Sequence, residues 1–221
     1  MRAEIVKINC DNPELSLVKY AADQIRSGEV LGMPTDTFYG LAADPFNLRA
    51  VDKVYDIKTR SRHKPLSLLI ESTDQAAELA KDLTDEFYAL ARKFWPGPLT
   101  IIVRAGSRLP LKVTANTGNV ALRIPNAKIP LAVVTAAAIP ITATSANLSG
   151  ASECTSAEQV REQLHGRINI IVDGGTSPRD VASTIVDLTD QAARWRVLRE
   201  GAIPADHIST FFAQGGTTSE G

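Results

Sequence analysis

From Ile129 to Ser152 the chain carries no charged residue, so this run has to be covered by other parts of the fold. Pro130 and Pro140, with many Ala and Thr around them, break the run. That argues against the membrane span of ~20 strongly apolar residues that its length would otherwise suggest. The stretch predicts a buried helix over Leu131 to Ala138 and a buried strand over Ile141 to Thr144.

The rest of the chain supplies the cover. Glu4 to Ile8 reads as a short strand, and Asp11-Asn12-Pro13 as a helix start whose apolar stripe is Leu15, Val18, Ala22 and Ile25. Val30 to Met33 reads as a buried strand and Leu48 to Lys58 as a helix with Leu48, Val51, Val54 and Tyr55 on one face. Further strands are expected at Leu66 to Ile70, Leu99 to Val103, Val120 to Pro125 and Ile168 to Val172, and helices at Thr73 to Leu83, Asp85 to Phe94 and Ala157 to Leu164. Ser183 to Asp187 and Arg194 to Arg199 look like a closing hairpin. Strands and helices alternate early while the last strands are consecutive, which predicts an α/β fold with a mixed sheet. No repeat, linker or composition shift divides the chain, so residues 1–212 are expected to form one domain. The Gly-, Thr- and Ser-rich residues 213–221 are expected to be a disordered tail.

Composition excludes several classes of function. A net charge of -1 and a pI near 6.3 give no global attraction to nucleic acid or anionic membrane, so any polyanion site is local. Cys10 and Cys154 form no CxxC pair, and His63, His165 and His207 have no metal-ligand spacing. No charged n-region leads into an apolar segment at the start, so a cytoplasmic protein without a secretory signal is expected. Neither GxxxxGK[ST] nor GxGxxG is present, and no GxSxG elbow supports a serine hydrolase.

The local exception is Lys58-Thr59-Arg60-Ser61-Arg62-His63-Lys64-Pro65-Leu66. Cations at alternate positions share a face in an extended chain, and Pro65 biases Lys64 towards extended geometry. Such a comb suits a polyphosphate, or it is a solvated basic loop. Thr35 and Asp36 follow a strand, where open α/β sheets place ligands, or they are turn residues bonding nearby backbone. Arg123 lies among apolar neighbours, and Ser145 and Asn147 share a face of an extended segment. From these residues alone the chain reads as an anion-binding α/β domain whose reaction is open.

Eight stretches together resemble the ordered signatures of the YrdC-like family, the threonylcarbamoyl-AMP synthases. They are Pro34 to Leu41, Lys58-Thr59-Arg60 with Lys64-Pro65-Leu66, Phe94 to Thr100, Val120 to Pro125, Thr144 to Gly150, Asp173 to Gly175, Ser183 to Asp187 and Leu198 to Gly201. The resemblance implies a strongly twisted mixed sheet with helices around a concave, positively charged cleft. It implies formation of threonylcarbamoyl-AMP and pyrophosphate from L-threonine, bicarbonate and ATP, with Mg²⁺ bound mainly through the nucleotide. A separate transferase would then modify the adenosine beside the tRNA anticodon. By the same resemblance Lys58, Arg60 and Arg123 are catalytic, and Lys58, Arg60, Lys64, Ser145, Asn147 and Arg199 bind ATP. Thr35, Arg123 and Ser183 bind threonine. Leu69 stands where longer members have a threonine-contacting histidine, Glu153 where they have a serine, and their second C-terminal domain is missing. Two other readings remain open at this stage. One is a non-catalytic module for tRNA or double-stranded RNA, and the other is a carbamoyl-transfer domain like that of hydrogenase-maturation proteins.

Overall fold

The chain, described here from a computed structural model covering residues 3–178, 181–190 and 192–215, opens with β1 (Glu4–Lys7), α1 (Leu15–Arg26), β2 (Leu31–Met33) and β3 (Gly40–Ala42). Next come α2 (Leu48–Lys58), β4 (Ser67–Leu69), α3 (Thr73–Leu79), α4 (Asp85–Phe94) and β5 (Leu99–Arg104). A short α5 (Leu111–Thr114) leads to β6 (Asn119–Arg123), α6 (Lys128–Ala137), β7 (Ile141–Thr142) and β8 (Thr144–Ser145). The chain closes with α7 (Ala157–Gln163), β9 (Ile170–Asp173), β10 (Thr184–Asp187), β11 (Arg196–Arg199) and α8 (Ala205–Ala213). Of the tail expected at 213–221, Ala213 ends α8 and its capping turn reaches Gly215; the remainder lies outside the described residues. No helix among the described residues is long and apolar enough to cross a membrane.

The strands form two mixed sheets instead of the one expected. The first has the order β1-β9-β2-β3-β8 and the second β11-β10-β5-β6-β4-β7. The division falls inside the uncharged run, where Ile141 to Thr144 splits at Ala143. β7 pairs antiparallel with β4 in the second sheet, and β8 pairs antiparallel with β3 in the first. The backbone explains the split, because Thr142 donates to the Ala43 carbonyl at 2.9 Å and Ala143 to the Ser67 carbonyl at 2.8 Å. Successive amides are thus claimed by different sheets, and an apolar run buried on both sides gives no period from which to read that.

Local chemistry accounts for the other boundaries. Asn9 accepts from the Asp11 and Asn12 amides at 2.9 and 3.0 Å, so the polar residues expected to cap α1 form a turn before it. The helix expected to run to Leu83 stops at Leu79 because Ala80 bridges to Ala105. α6 starts three residues early with Pro130 in its first turn, where the missing N–H breaks no helical bond. One apolar layer packs Val18, Ile25, Val133 and Val134 of α1 and α6 against the first sheet through Leu31, Met33 and Val172. A larger one joins α2, α4 and α7 to both sheets through Val54, Phe87, Leu122, Val160 and Ile171.

Period-2 alternation leaves the opposite side of the second sheet for a ligand. Ile101 and Leu122 enter the core, whereas Thr100, Ile102, Ala121 and Arg123 face a cleft, joined by Ser67 and Leu69 of β4 and Ile185 of β10. In register, Ile185 pairs with Thr100, Ile102 with Ala121 and Leu69 with Arg123.

The loop after β11 pins one wall of this cleft. Thr184 donates to the Ile203 carbonyl at 2.6 Å and accepts from the Gly201 and Ile203 amides at 3.0 Å each. A Cβ on Gly201 would lie 2.3 Å from the Ala182 carbonyl oxygen and 2.6 Å from the Ser183 carbonyl carbon. Backbone cannot yield as a side chain end can, so Gly201→Ala is expected to destabilise the fold by about 1–3 kcal/mol, as overpacking does. Urea unfolding measures the loss, and an unchanged midpoint would mean that this wall is not close-packed.

Candidate active site

The cleft holds about 300 Å³, at the lower end for small-ligand sites. Of the site residues expected from sequence, Thr35, Arg60, Arg123, Ser145, Ser183 and Arg199 line it. Lys58, Lys64 and Asn147 lie outside that lining.

At its floor Arg123 is 7 % exposed and Asp36 4 %. The guanidinium donates from Nη2 to Asp36 Oδ1 at 2.5 Å, from Nη1 to Thr37 Oγ1 at 3.1 Å and from Nε to the Gly97 carbonyl at 2.9 Å. A buried charge requires this company, since removing either partner strands the other. The hydroxyl of Thr35 donates to the Phe38 carbonyl at 2.7 Å and accepts from the Thr37 amide at 3.1 Å. Thr35 thus bonds nearby backbone as a turn residue, and it also lines the cleft.

The comb is not extended. α2 ends with Thr59 in the left-handed region at φ 51°, the Thr59 amide bonding Asp56 at 3.1 Å and the Arg60 amide bonding Tyr55 at 2.9 Å. This is the two-bond pattern of a Schellman terminus, and it turns the four cations in different directions. Arg60 enters the cleft, donating from Nη2 to the Pro65 carbonyl at 3.1 Å, and burial lowers its pKa. Arg62 points outward to Asp52, and to Asp56 at 2.8 Å. Lys64 is exposed, and its carbonyl accepts from Tyr55 Oη at 3.0 Å.

Lys58 goes inward. At 2 % exposure its ammonium donates to the Ser145 carbonyl, and to the Asn147 carbonyl and Oδ1 at 2.8 Å each. Ser145 Oγ donates to the same Asn147 oxygen at 2.7 Å. Lys58 is thus the peg on which the 145–147 loop hangs. Burial pushes its pKa down to about 8, with Arg60 lowering it further and Glu153 and Cys154 opposing.

On the far wall Ser183 Oγ meets Thr100 Oγ1 at 2.9 Å. Arg199 donates to the Ser183 carbonyl at 2.8 and 3.1 Å and to its hydroxyl at 3.2 Å. Burial lowers the Arg199 pKa, Glu153 raises it and Arg123 lowers it. The lining therefore carries three guanidiniums, a group of hydroxyls and one carboxylate, Glu153. Among the described residues no group of three or more His, Cys, Asp or Glu could hold a metal ion, so the donor set does not fit a protein-built Mg²⁺ cage. Sequence reasoning passed over Thr37, which bonds Arg123, and Thr100, whose alternation with Ile101 was the available signal.

Comparison with known proteins gives a consistent picture. A family model named for Sua5, YciO and YrdC, described as "Telomere recombination", matches residues 23–201. The chain is 38 % identical to the threonylcarbamoyl-AMP synthase of Pyrococcus abyssi, over 86 % of this chain and 56 % of that protein. With the threonylcarbamoyl-AMP synthase of Vibrio parahaemolyticus it shares 34 % identity over 80 % of this chain and 95 % of that one. The crystal structure of P. abyssi Sua5 complexed with L-threonine superposes with a TM-score of 0.90 and 36 % identity, covering 94 % of this chain and 60 % of that one. The chain thus spans little more than half the length of the P. abyssi relative.

The Lys58 peg makes a pH prediction. With a folded pKa near 8 against ~10.4 for an unperturbed lysine, the folded protein releases a proton more readily than the unfolded chain. The burial penalty is fully present below pH 8 and is relieved as pH rises through this window. Wild type should therefore gain stability relative to Lys58→Met between about pH 8 and pH 10, read from denaturant midpoints of both proteins. Parallel curves would show that Lys58 does not titrate early.

Proposed function

The chain belongs to the Sua5/YciO/YrdC family, and on that premise we propose that its cleft forms threonylcarbamoyl-AMP and pyrophosphate from L-threonine, bicarbonate and ATP. The observation that carries the reading is the meeting of Arg60, Arg123 and Arg199 with the Thr35, Thr100 and Ser183 hydroxyls around one concavity. The L-threonine complex of the P. abyssi protein supports the choice of amino acid.

In this reading the threonine amine attacks carbon of bicarbonate, and water leaves to give a carbamate. A carbamate oxygen then attacks the α-phosphorus of ATP, forming the O–P bond as the bond to pyrophosphate breaks. Two anions have to meet, so guanidiniums already aimed at the growing charge lower the barrier without reorganising. Arg123 takes the threonine carboxylate, Thr35 and Ser183 orient the amino acid, and Arg60 and Arg199 bracket the phosphates. Ser145 and Asn147 position the nucleotide on the loop that Lys58 pegs, and Lys58 adds charge from beneath. Lys64, exposed at the rim, meets the outer phosphates. Any Mg²⁺ would be held through the nucleotide's phosphates, since the lining offers no protein cage for it, and would supply neutralising charge to the departing pyrophosphate. The product is an activated carbamoyl donor, to be consumed by a threonylcarbamoyl transferase that modifies tRNA.

Pyrophosphate release from ATP should require both L-threonine and bicarbonate; release that ignores either would overturn the assignment. Arg60→Ala and Arg199→Ala should each lower threonine-dependent turnover by about 10²-fold or more. Arg62→Ala, which loses surface ion pairs and a guanidinium contact with the Tyr55 ring at 5.6 Å, should change stability and turnover little. A uniform mild response in this series would remove the guanidiniums from the reaction.

A further inference from the structure

The lining of the cleft carries one carboxylate, Glu153, to which the proposed reaction gives no task. It is half-buried, and no hydrogen bond or ion pair reaches its carboxylate from the described residues. Its neighbours are cations, for its charge raises the pKa of both Lys58 and Arg199, yet neither of them bonds it. Lys58 spends its three protons on the Ser145 carbonyl and on the carbonyl and Oδ1 of Asn147. Arg199 turns Nε and Nη2 to Ser183. A carboxylate set among cations that are committed elsewhere keeps its acceptor sites for a ligand.

The backbone fixes where this side chain starts. Tyr39, in the wall of the cleft, donates its amide to the Cys154 carbonyl at 2.8 Å and accepts from the Ala146 amide at 2.7 Å. Both ends of the 146–154 loop are thus tied to one residue. Within the loop Asn147 Nδ2 donates to the Ala151 carbonyl at 2.6 Å, and Gln163 Nε2 donates to the Ser152 carbonyl at 2.8 Å. Cys154, next in the chain, is fully buried in the core. Glu153 is therefore presented by a held loop, the one whose start carries the nucleotide residues Ser145 and Asn147.

Sign decides what Glu153 can meet. A phosphate against it would be repelled, so the part of a nucleotide that lies there has to be neutral and to bring donors. The vicinal hydroxyls of a ribose do both, and an acidic residue on a ribose hydroxyl is how dinucleotide folds hold that sugar. The ammonium of the amino acid is the competing donor. Glu153 stands on the nucleotide's loop and not on the segments that carry Thr35, Arg123 and Ser183, which favours the sugar. We propose that Glu153 accepts the ribose hydroxyls of the nucleotide and makes the cleft select ribonucleotides over 2′-deoxyribonucleotides. This inference rests on the reading of the cleft as an ATP site and adds to it the residue that recognises the sugar.

The test is calorimetric titration of the full chain with ATP and with 2′-deoxy-ATP, without threonine or bicarbonate so that nothing turns over. A site built around a hydroxyl rejects the analogue that lacks it, less severely where water reaches the acceptor, so wild type should bind ATP about tenfold more tightly or better. Glu153→Ala should bind the two nucleotides equally, and Glu153→Gln, which keeps one acceptor, should fall between. Pyrophosphate, which has no sugar, should bind Glu153→Ala at least as tightly as wild type because a like charge is gone. No bond is lost in either variant, so their thermal melts should match wild type. The proposal is overturned if wild type binds ATP and 2′-deoxy-ATP alike or if Glu153→Ala keeps the full preference. It is also overturned if Glu153→Ala weakens L-threonine binding and leaves the nucleotide preference intact, which would give the carboxylate to the ammonium. Wild type that binds ATP without discrimination sinks this inference alone, whereas wild type that binds neither nucleotide sinks the reading of the cleft and this inference with it.

Discussion

The ion pair between Arg123 and Asp36 holds the two halves of the molecule in register. Asp36 follows β2 of the first sheet and Arg123 ends β6 of the second, with Gly97, just before β5, supplying the third contact. Pairs this buried contribute little net stability, because desolvating two charges offsets most of their attraction. What this one does is positional: a guanidinium with three named directional bonds cannot drift, and the sheets that carry its partners are fixed with it. The cleft between them is thereby shaped before any ligand arrives, and preorganisation of this kind makes charge effective in catalysis.

Around that pair the cations divide by depth. Arg62 and Lys112 share Asp52 at the surface, where water screens them. Arg60 and Arg199 are half sunk, their pKa values lowered mainly by burial, yet a guanidinium stays protonated at any working pH. Lys58 is fully sunk and organises backbone. Cations that sequence spacing treats alike thus end at the surface, in the cleft and beneath the 145–147 loop.

Much of this was legible in the sequence, and where it was not the reason is physical. The bounds expected for α2 and α4 match the observed ones to the residue, because amphipathic helices state their own limits. The two sheets were invisible because Ile141 to Ser145 is uncharged and buried or half-buried along its whole length, and the switch at Ala143 depends on which distant carbonyls its neighbours meet. The comb was misdrawn because alternation assumes an extended chain, whereas Thr59 adopts a left-handed turn that its sequence does not announce. Arg123 stood out as a charge amid apolar residues, but nothing local named Asp36 or Thr37 as its partners. Long-range pairing decides such contacts, and a single sequence carries no direct record of it.

The switch at Ala143 bears on how the molecule can be rebuilt. One residue separates a strand of each sheet, and consecutive Cα atoms stand ~3.8 Å apart, so at this edge the aperture is set by covalent geometry instead of by packing. Even a single inserted residue there would pry the sheets apart. The surface turn at 61–64 closes on itself through the Lys64 amide and Ser61 carbonyl at 3.1 Å, and it can be lengthened between Arg62 and His63, with Lys64 kept, without that penalty. A reporter or tether grafted into this chain therefore belongs in that turn, and the peptide joining the two sheets is the place to leave untouched.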